Sequence, residues 1–206
     1  MIKTLLWDVD GTLLDFGKAE EYGIRKCFEI FSLGECTDEM LSRYSVINRK
    51  YWEMLERGEL TKPQVLRGRF EEFFETEGIR FDQIDDFNLE YQYRLGDKVF
   101  FCDNALETVQ FLKGKIKQYA VTNGTFVAQD RKLKQSGLDE IFDGVFISDK
   151  IGFEKPSIEF FDAVQKEIGE FNREEVMIIG GASIYGQMMK FANKLLLTEI
   201  NDSKNA

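Results

Sequence analysis

The chain has 206 residues, with 37 acidic and 27 basic side chains, a formal net charge of −10, 43% hydrophobic residues and 31% charged residues. This composition is typical of a soluble globular protein, and the net charge argues against nucleic acid or an anionic membrane as the main partner. Histidine is absent, which excludes Ser-His and Cys-His catalysis as well as histidine metal sites.

The cysteines and the N-terminus indicate a cytoplasmic location. Cys27, Cys36 and Cys102 form no C-x-x-C pair, which is typical of reduced, structural thiols. Lys3 precedes only a brief apolar run that ends in acids, so we predict no signal peptide.

The first predicted element is a short buried strand, Thr4–Trp7, that ends in two carboxylates. Asp8 and Asp10 follow it, and a Gly-Thr turn comes next. Ligands of open parallel α/β sheets bind at the carboxyl ends of strands, so these acids are expected to face a site. One of them can attack a phosphorus centre while the other moves a proton. The alternative is an ordinary strand end in an acidic protein; the full pattern favours function.

The next 85 residues or so predict helices. Apolar spacing indicates one helix around 19–31, a second that begins after a Thr37 cap and ends at Gly58, and a less regular one over 84–95. Between them, Thr61 and Gln64 fit a capping box that opens a helix to Gly78. We therefore predict a helical cap domain over 16–100, with its aromatic stripe as core.

After Cys102 the pattern alternates between helix and strand. This rhythm predicts a doubly wound parallel sheet of the Rossmann-like α/β class, in a discontinuous core domain made of 1–15 and 101–206. The predicted helices are 104–112, 126–136, 157–168 and 183–192, and the predicted strands are 116–122, 145–148, 176–179 and 195–198.

Two further positions carry chemistry. Thr122 and Asn123 end the second sheet strand, where a hydroxyl and backbone amides can hold phosphate oxygens, although a threonine there is also structurally ordinary. Lys155 stands before Pro156 at a helix start. A single lysine is usually a solvated surface group, but here it could offset several crowded oxygens.

The Asp-Val-Asp-Gly-Thr-Leu opening, Thr122 and Lys155, in that order, resemble three motifs of the haloacid dehalogenase superfamily, whose members are mostly Mg²⁺-dependent phosphohydrolases. Within it, residues 7–16, 121–124, 132–138 and 147–156 resemble the bacterial pyrimidine-nucleotide 5′-phosphatases. The resemblance implies a cap that closes over a small phosphorylated substrate, most simply a nucleoside monophosphate. It leaves the preferred nucleotide and the oligomeric state open.

The resemblance also implies roles for single residues. Asp8 becomes the nucleophile that forms an aspartyl-phosphate, and Asp10 protonates the leaving group and then activates water. Thr122 and Asn123 bind phosphate, and Lys155 steadies both nucleophile and phosphate. Mg²⁺ is expected on the Asp8 carboxylate and the Asp10 backbone carbonyl.

The sequence departs from the family pattern at the fourth motif. A Gly-Asp pair is expected after the apolar strand 176–179, but Gly181 stands in the place of the acid, and the second expected position, near Gly186, also lacks a carboxylate. Asp149, which follows the preceding strand, is a candidate replacement in the metal site. The alternative to an enzyme is therefore an impaired homologue that binds phosphate or nucleotide without turnover.

Residues 175–187 and 191–200 resemble a strand–helix–strand segment of dihydrofolate reductases, in which a Gly-Gly turn contacts the NADPH pyrophosphate. The match covers only about 25 residues, and the rest of a folate or NADPH site has no counterpart, so a reductase is the least favoured hypothesis. Two histories fit: a chimera joined at 175–180, or chance resemblance in a divergent phosphatase.

Overall fold

A computed structural model describes residues 1–169 and 173–180. Within them, four parallel strands form one sheet in the order β3-β2-β1-β4. The strands are β1 Thr4–Trp7, β2 Lys117–Thr122, β3 Gly144–Ile147 and β4 Val176–Ile179. The predicted strands in this part of the chain are confirmed, each within about one residue.

The strand register places the predicted acids at one edge of the sheet. Trp7, the last residue of β1, pairs with Ala120 of β2 on one side and Ile179 of β4 on the other. Because all strands run the same way, Asp8 leaves β1 at the edge where Thr122 ends β2. This is the carboxyl edge, where open α/β sheets bind their ligands.

Eight α-helices accompany the sheet in the described residues. Four lie in the insertion after β1, and four alternate with the later strands. They are α1 Phe16–Ile30, α2 Asp38–Glu56, α3 Lys62–Thr76, α4 Ile84–Arg94, α5 Ala105–Leu112, α6 Phe126–Ser136, α7 Ser148–Ile151 and α8 Ile158–Ile168.

Local capping explains where the cap helices begin. The Thr37 side chain accepts a hydrogen bond from the Met40 amide at the start of α2, and Thr61 and Gln64 form the predicted capping box at the start of α3. The sequence did not predict α7, which is a four-residue turn directly after β3.

The aromatic stripe of the insertion forms a packed core, as predicted. Phe70 is fully buried, and its ring centroid lies 5.3 Å from that of Tyr44 and 5.0 Å from that of Phe87. Rings at such distances attract each other in addition to the apolar area that they bury. The four cap helices thus share a core that consists almost wholly of their own residues.

Successive residues of β1 pack on opposite faces of the sheet. Leu5 and Trp7 join one apolar cluster with Val109, whereas Leu6 joins another with Phe160. Both faces are therefore covered, as the continuous burial of β1 requires. The fold is a Rossmann-like α/β sheet with an inserted helical cap.

Two predicted elements, the helix at 183–192 and the strand at 195–198, lie outside the described residues. The domain limits at 15–16 and 100–101 remain predictions. None of the helices in the described part of the chain has the length and apolar character needed to cross a membrane.

Candidate active site

Asp8 and Lys155 form a buried ion pair. The Lys155 Nζ atom donates to Asp8 Oδ1 at 2.7 Å and to the Val121 carbonyl at 2.8 Å, and only 4% of Lys155 is exposed. The Val9 amide also donates to Asp8 Oδ1. Burial raises the pKa of the Asp8 carboxyl, and the charge and hydrogen bond of Lys155 oppose that rise.

Asn123 holds the backbone of Lys155 in place. Its Nδ2 donates to the Lys155 carbonyl at 2.9 Å, and its Oδ1 accepts from the Lys155 amide at 2.8 Å. The carboxamide is therefore engaged in positioning the lysine, a role that the sequence did not suggest. The neighbouring Thr122 is buried and lines the same cavity.

Asp10 is held by two residues that sequence reasoning missed. Lys132 Nζ lies 2.8 and 3.0 Å from its two carboxylate oxygens, and Gln129 Nε2 donates to Oδ2 at 2.7 Å. Both partners are 3% exposed. Their spacing of three on α6 places them on one helix face, but without the fold nothing in the sequence connects that face with Asp10.

Gly124 leaves room for this arrangement. Its φ of +127° is one that L side chains rarely adopt, and a Cβ atom there would lie 2.8 Å from Gln129 Nε2. A side chain at position 124 would push Gln129 away from Asp10.

Asp149 lies in a different environment from the one predicted for a metal ligand. Its Oδ1 accepts from Lys62 Nζ at 3.0 Å and its Oδ2 from the Phe126 amide at 2.9 Å. Burial favours a higher pKa for Asp149, but the Phe126 amide and Lys62 outweigh it and lower the pKa. Asp149 is not among the residues that line the cavity with Asp8, so this geometry gives its metal role no support.

The predicted residues meet in a cavity of about 540 Å³ between sheet and cap, a volume within the usual range of small-molecule sites. Its floor contains Asp8, Asp10, Thr122, Asn123 and Lys155. Its cap side contains Phe16, Glu20, Ser45, Asn48, Arg49, Trp52, Glu56 and Arg69.

The floor offers oxygen donors of the kind that Mg²⁺ takes. One is the Asp8 carboxylate, in which both described hydrogen bonds use Oδ1. The backbone carbonyl of Asp10 is the second donor that the family resemblance implies. Across 1–169 and 173–180, no group of three or more His, Cys, Asp or Glu side chains could hold a metal ion. The donor atoms are therefore oxygens, which suit a hard cation. Fewer of them are carboxylates than in the family pattern. Gly181 and Gly186 lie outside the described residues.

Comparison with known proteins identifies the family. The model of the haloacid dehalogenase-like hydrolases matches residues 2–183. The chain belongs to this family, and the fold and the order of its motifs agree with that assignment.

Three bacterial relatives and one solved structure are similar to the chain. YfnB of Bacillus subtilis is 35% identical over 180 residues, which cover 86% of this chain and 75% of YfnB. The pyrimidine 5′-nucleotidases PynA of Streptococcus pneumoniae and YjjG of Escherichia coli are 29% and 25% identical, over 86% and 85% of this chain and 75% and 76% of their own lengths. The crystal structure of YfnB bound to magnesium, which reveals interdomain movement in that protein, has a TM-score of 0.80 at 33% identity and covers 86% of this chain and 77% of YfnB.

Proposed function

We propose that this hydrolase is a cytoplasmic, magnesium-dependent phosphatase of nucleoside monophosphates. The observation that carries the proposal is the buried contact between Asp8 and Lys155 at the carboxyl edge of the sheet, with Asp10 fixed two residues further on. A carboxylate beside a fixed ammonium can attack a phosphorus centre while the ammonium offsets the crowded oxygens.

The reaction proceeds in two displacements. An Asp8 carboxylate oxygen bonds to phosphorus as the bond to the 5′ ester oxygen breaks, and Asp10 gives that oxygen its proton. A water then attacks phosphorus and loses its proton to Asp10, which releases phosphate and restores Asp8.

Lys155 and Thr122 hold the phosphoryl oxygens, and Asn123 keeps Lys155 in position. The Asp8 carboxylate and the Asp10 backbone carbonyl would hold Mg²⁺, which would supply charge neutralisation for the phosphoryl group.

Two relatives support the choice of substrate. PynA and YjjG are pyrimidine 5′-nucleotidases, and each aligns with more than four-fifths of this chain. At 29% and 25% identity the relation supports the substrate class rather than one preferred nucleotide.

A second function is favoured by one specific feature. Gly181 stands where the family pattern places a metal-binding acid, and the described residues contain no group of three or more His, Cys, Asp or Glu side chains that could hold a metal ion. A protein with this site that binds a nucleotide without hydrolysing it is the alternative to the enzyme.

An assay of phosphate release distinguishes the phosphatase from the binding protein. The substrates are the 5′-monophosphates of cytidine, uridine, thymidine, adenosine and guanosine. We expect release in millimolar Mg²⁺, loss of release in EDTA, and none from Asp8→Asn. The matched control is Asp139→Asn, an exposed aspartate far along the chain, which should behave as wild type. Release at the Asp8→Asn level by the wild-type chain would favour binding without turnover.

A further inference from the structure

The Asp10 carboxylate is held by two side chains of α6. Lys132 Nζ lies 2.8 Å from Oδ1 and 3.0 Å from Oδ2, and Gln129 Nε2 donates to Oδ2 at 2.7 Å. A carboxylate offers about four lone-pair positions, two on each oxygen. These contacts take one position on Oδ1 and both positions on Oδ2, so the position that remains is on Oδ1.

This remaining position is the one that a reacting group in the cavity can use. Asp10 lines the cavity, and 23% of its side chain is exposed, against 4% of that of Lys132. The backbone beside Asp10 forms a tight turn, in which the Gly11 amide donates to the Leu14 carbonyl at 2.8 Å. Since the turn fixes the backbone, only the side-chain torsions could turn the carboxylate, and the contacts from α6 hold them.

Both side chains of α6 are placed here at a cost in free energy. The Lys132 ammonium is buried, pairs with Asp10 and lies 4.9 Å from the centre of the Phe16 ring. Gln129 is also buried, and its Oε1 atom has no hydrogen-bond partner in the ranges that the structure describes. A buried charge and a buried acceptor without a partner are both unfavourable. A fixed orientation of Asp10 is what the two contacts provide in return.

We infer that Lys132 and Gln129 are positioning residues for proton transfer by Asp10, because they confine the mobile proton to Oδ1. With the proton on Oδ1, Oδ2 is a carbonyl oxygen and still accepts from Gln129 and Lys132. A proton on Oδ2 would have to displace a donor. The inference rests on the proposed function and assigns the atom through which its acid and base steps pass.

The two displacements use this proton differently for different substrates. When the bond from phosphorus to cytidine breaks, the proton passes from Asp10 Oδ1 to the ester oxygen that leaves. When water then bonds to phosphorus and the bond to Asp8 breaks, a proton of that water returns to Oδ1. A p-nitrophenolate ion leaves without a proton, so with p-nitrophenyl phosphate only the second displacement needs Asp10.

Lys132→Met tests the inference in the presence of Mg²⁺. Stopped-flow absorbance measures nitrophenolate, and rapid quench measures cytidine. We expect the first equivalent of nitrophenolate at a rate within about threefold of wild type, and later turnovers about 100-fold slower. Cytidine release from cytidine 5′-monophosphate should be about 100-fold slower from the first turnover.

Three further variants complete the test. Lys132→Arg keeps two donors toward the carboxylate and should restore most of the rate with both substrates. Gln129→Met removes the donor to Oδ2 without removing a charge, so it tests the inference if Lys132→Met does not fold. It should show the same difference between substrates, with effects of about tenfold. Lys134→Met, which changes an exposed lysine of α6 that pairs with Asp130, should behave as wild type.

An equal slowing of the first turnover with both substrates would overturn the inference, because a contact that only stabilises the fold would have that effect. Wild-type kinetics in a folded chain with Lys132→Met or Gln129→Met would also overturn it. Both outcomes would leave the proposed phosphatase intact. A wild-type chain that releases phosphate from neither substrate would instead remove the proposed function, and the inference with it.

Discussion

The Asp8–Lys155 pair combines catalysis and stability in one contact. Both side chains are largely withdrawn from water, at 14% and 5% exposed, and removal of one partner from a buried pair leaves the other charge uncompensated. The pair is therefore more sensitive to substitution than the many exposed ion pairs of this acidic chain.

Lys155→Met should lower phosphate release by about 100-fold or more, because the charge that offsets the phosphoryl oxygens is lost. It should also lower the free energy of unfolding by about 3 kcal/mol at neutral pH. Kinetics and urea denaturation measure the two effects, with Lys166→Met, an exposed lysine of α8, as control. A Lys155→Met chain with wild-type kinetics would remove Lys155 from the site.

Glu20 makes the stability of the protein depend on pH, and its burial sets the direction of that dependence. Burial raises the pKa of Glu20 above 4.5, although hydrogen bonds from Ser45 and Asn48 and the charge of Arg69 oppose the rise. Between pH 4.5 and the raised folded-state pKa, the unfolded chain ionises this carboxyl more readily than the folded chain does. Glu20 therefore contributes its full share to the free energy of unfolding below pH 4.5, and this contribution is lost as the pH rises through the folded-state pKa.

Glu20→Gln removes this titration. Its free energy of unfolding, relative to wild type, should rise with pH from 4.5 and level off above the folded-state pKa of Glu20. Urea denaturation across that range measures the difference. A difference that is constant, or that falls with pH, would contradict the assigned burial of a carboxylate at this position.

At the scale of single residues, the sequence predicts the site residues that belong to short motifs. It does not predict the residues that only the fold brings close to the site. Asp8, Asp10, Thr122 and Lys155 stand at strand ends or before a helix, which local pattern reveals. Lys132 approaches Asp10 across 122 positions, a contact that depends on how α6 packs on the sheet.

At the scale of elements, one lysine of the cap contacts several groups of the core. Lys62, in the first turn of α3, lies 3.0 Å from Asp149 Oδ1, 2.6 Å from Glu154 Oε1 and 3.3 Å from the Gly124 carbonyl. Only 15% of its side chain is exposed. It therefore links cap and core beside the loop that follows β2.

Lys62→Met should loosen this link. If the ion pairs contribute about 1 kcal/mol, the equilibrium constant for docking the cap on the core falls about fivefold, and the KM for nucleotide should rise by up to a similar factor with a smaller change in kcat. Lys50→Met, which breaks the Lys50–Glu72 pair within the cap, is the matched control. An equal effect of both variants on KM would contradict a specific role for the cap–core link.

The helices themselves were predictable because their signals are local. Thr37 caps α2, and Thr61 with Gln64 opens α3, within three residues in each case. The predicted metal role of Asp149 depended instead on the direction of a side chain after β3, and that direction is set by Lys62 and the Phe126 amide, from two distant elements.

At the scale of the whole molecule, the alternating pattern after residue 102 and the helical pattern before it predicted a parallel sheet with an inserted cap. The strand order β3-β2-β1-β4 brings the end of β1 between the ends of β2 and β4, and the Asp8 amide donates to the Ile179 carbonyl at 2.8 Å. In the sequence, Gly181 comes two residues after Ile179, and it is the most consequential departure from the family pattern.

Gly181→Asp should raise phosphate release and lower the Mg²⁺ concentration needed for half-maximal rate, because a second carboxylate joins the oxygen donors at the carboxyl edge. A titration of activity with Mg²⁺ measures both, with Ser42→Asp at an exposed position of α2 as a test for the effect of added charge alone. No gain from a folded Gly181→Asp chain would contradict the placement of this residue in the fourth motif.

The central claim is that Asp8 is the nucleophile of a phosphoryl transfer, and direct detection of its phosphorylated form tests it best. The chain is mixed with cytidine 5′-monophosphate and Mg²⁺ and quenched rapidly in acid, and its mass and peptide map are measured. We predict at most one phosphoryl group per chain, on the peptide that contains Asp8, and none in Asp8→Asn. Phosphate release by an Asp8→Asn chain at the wild-type rate, or a phosphoryl group on another residue, would contradict the account.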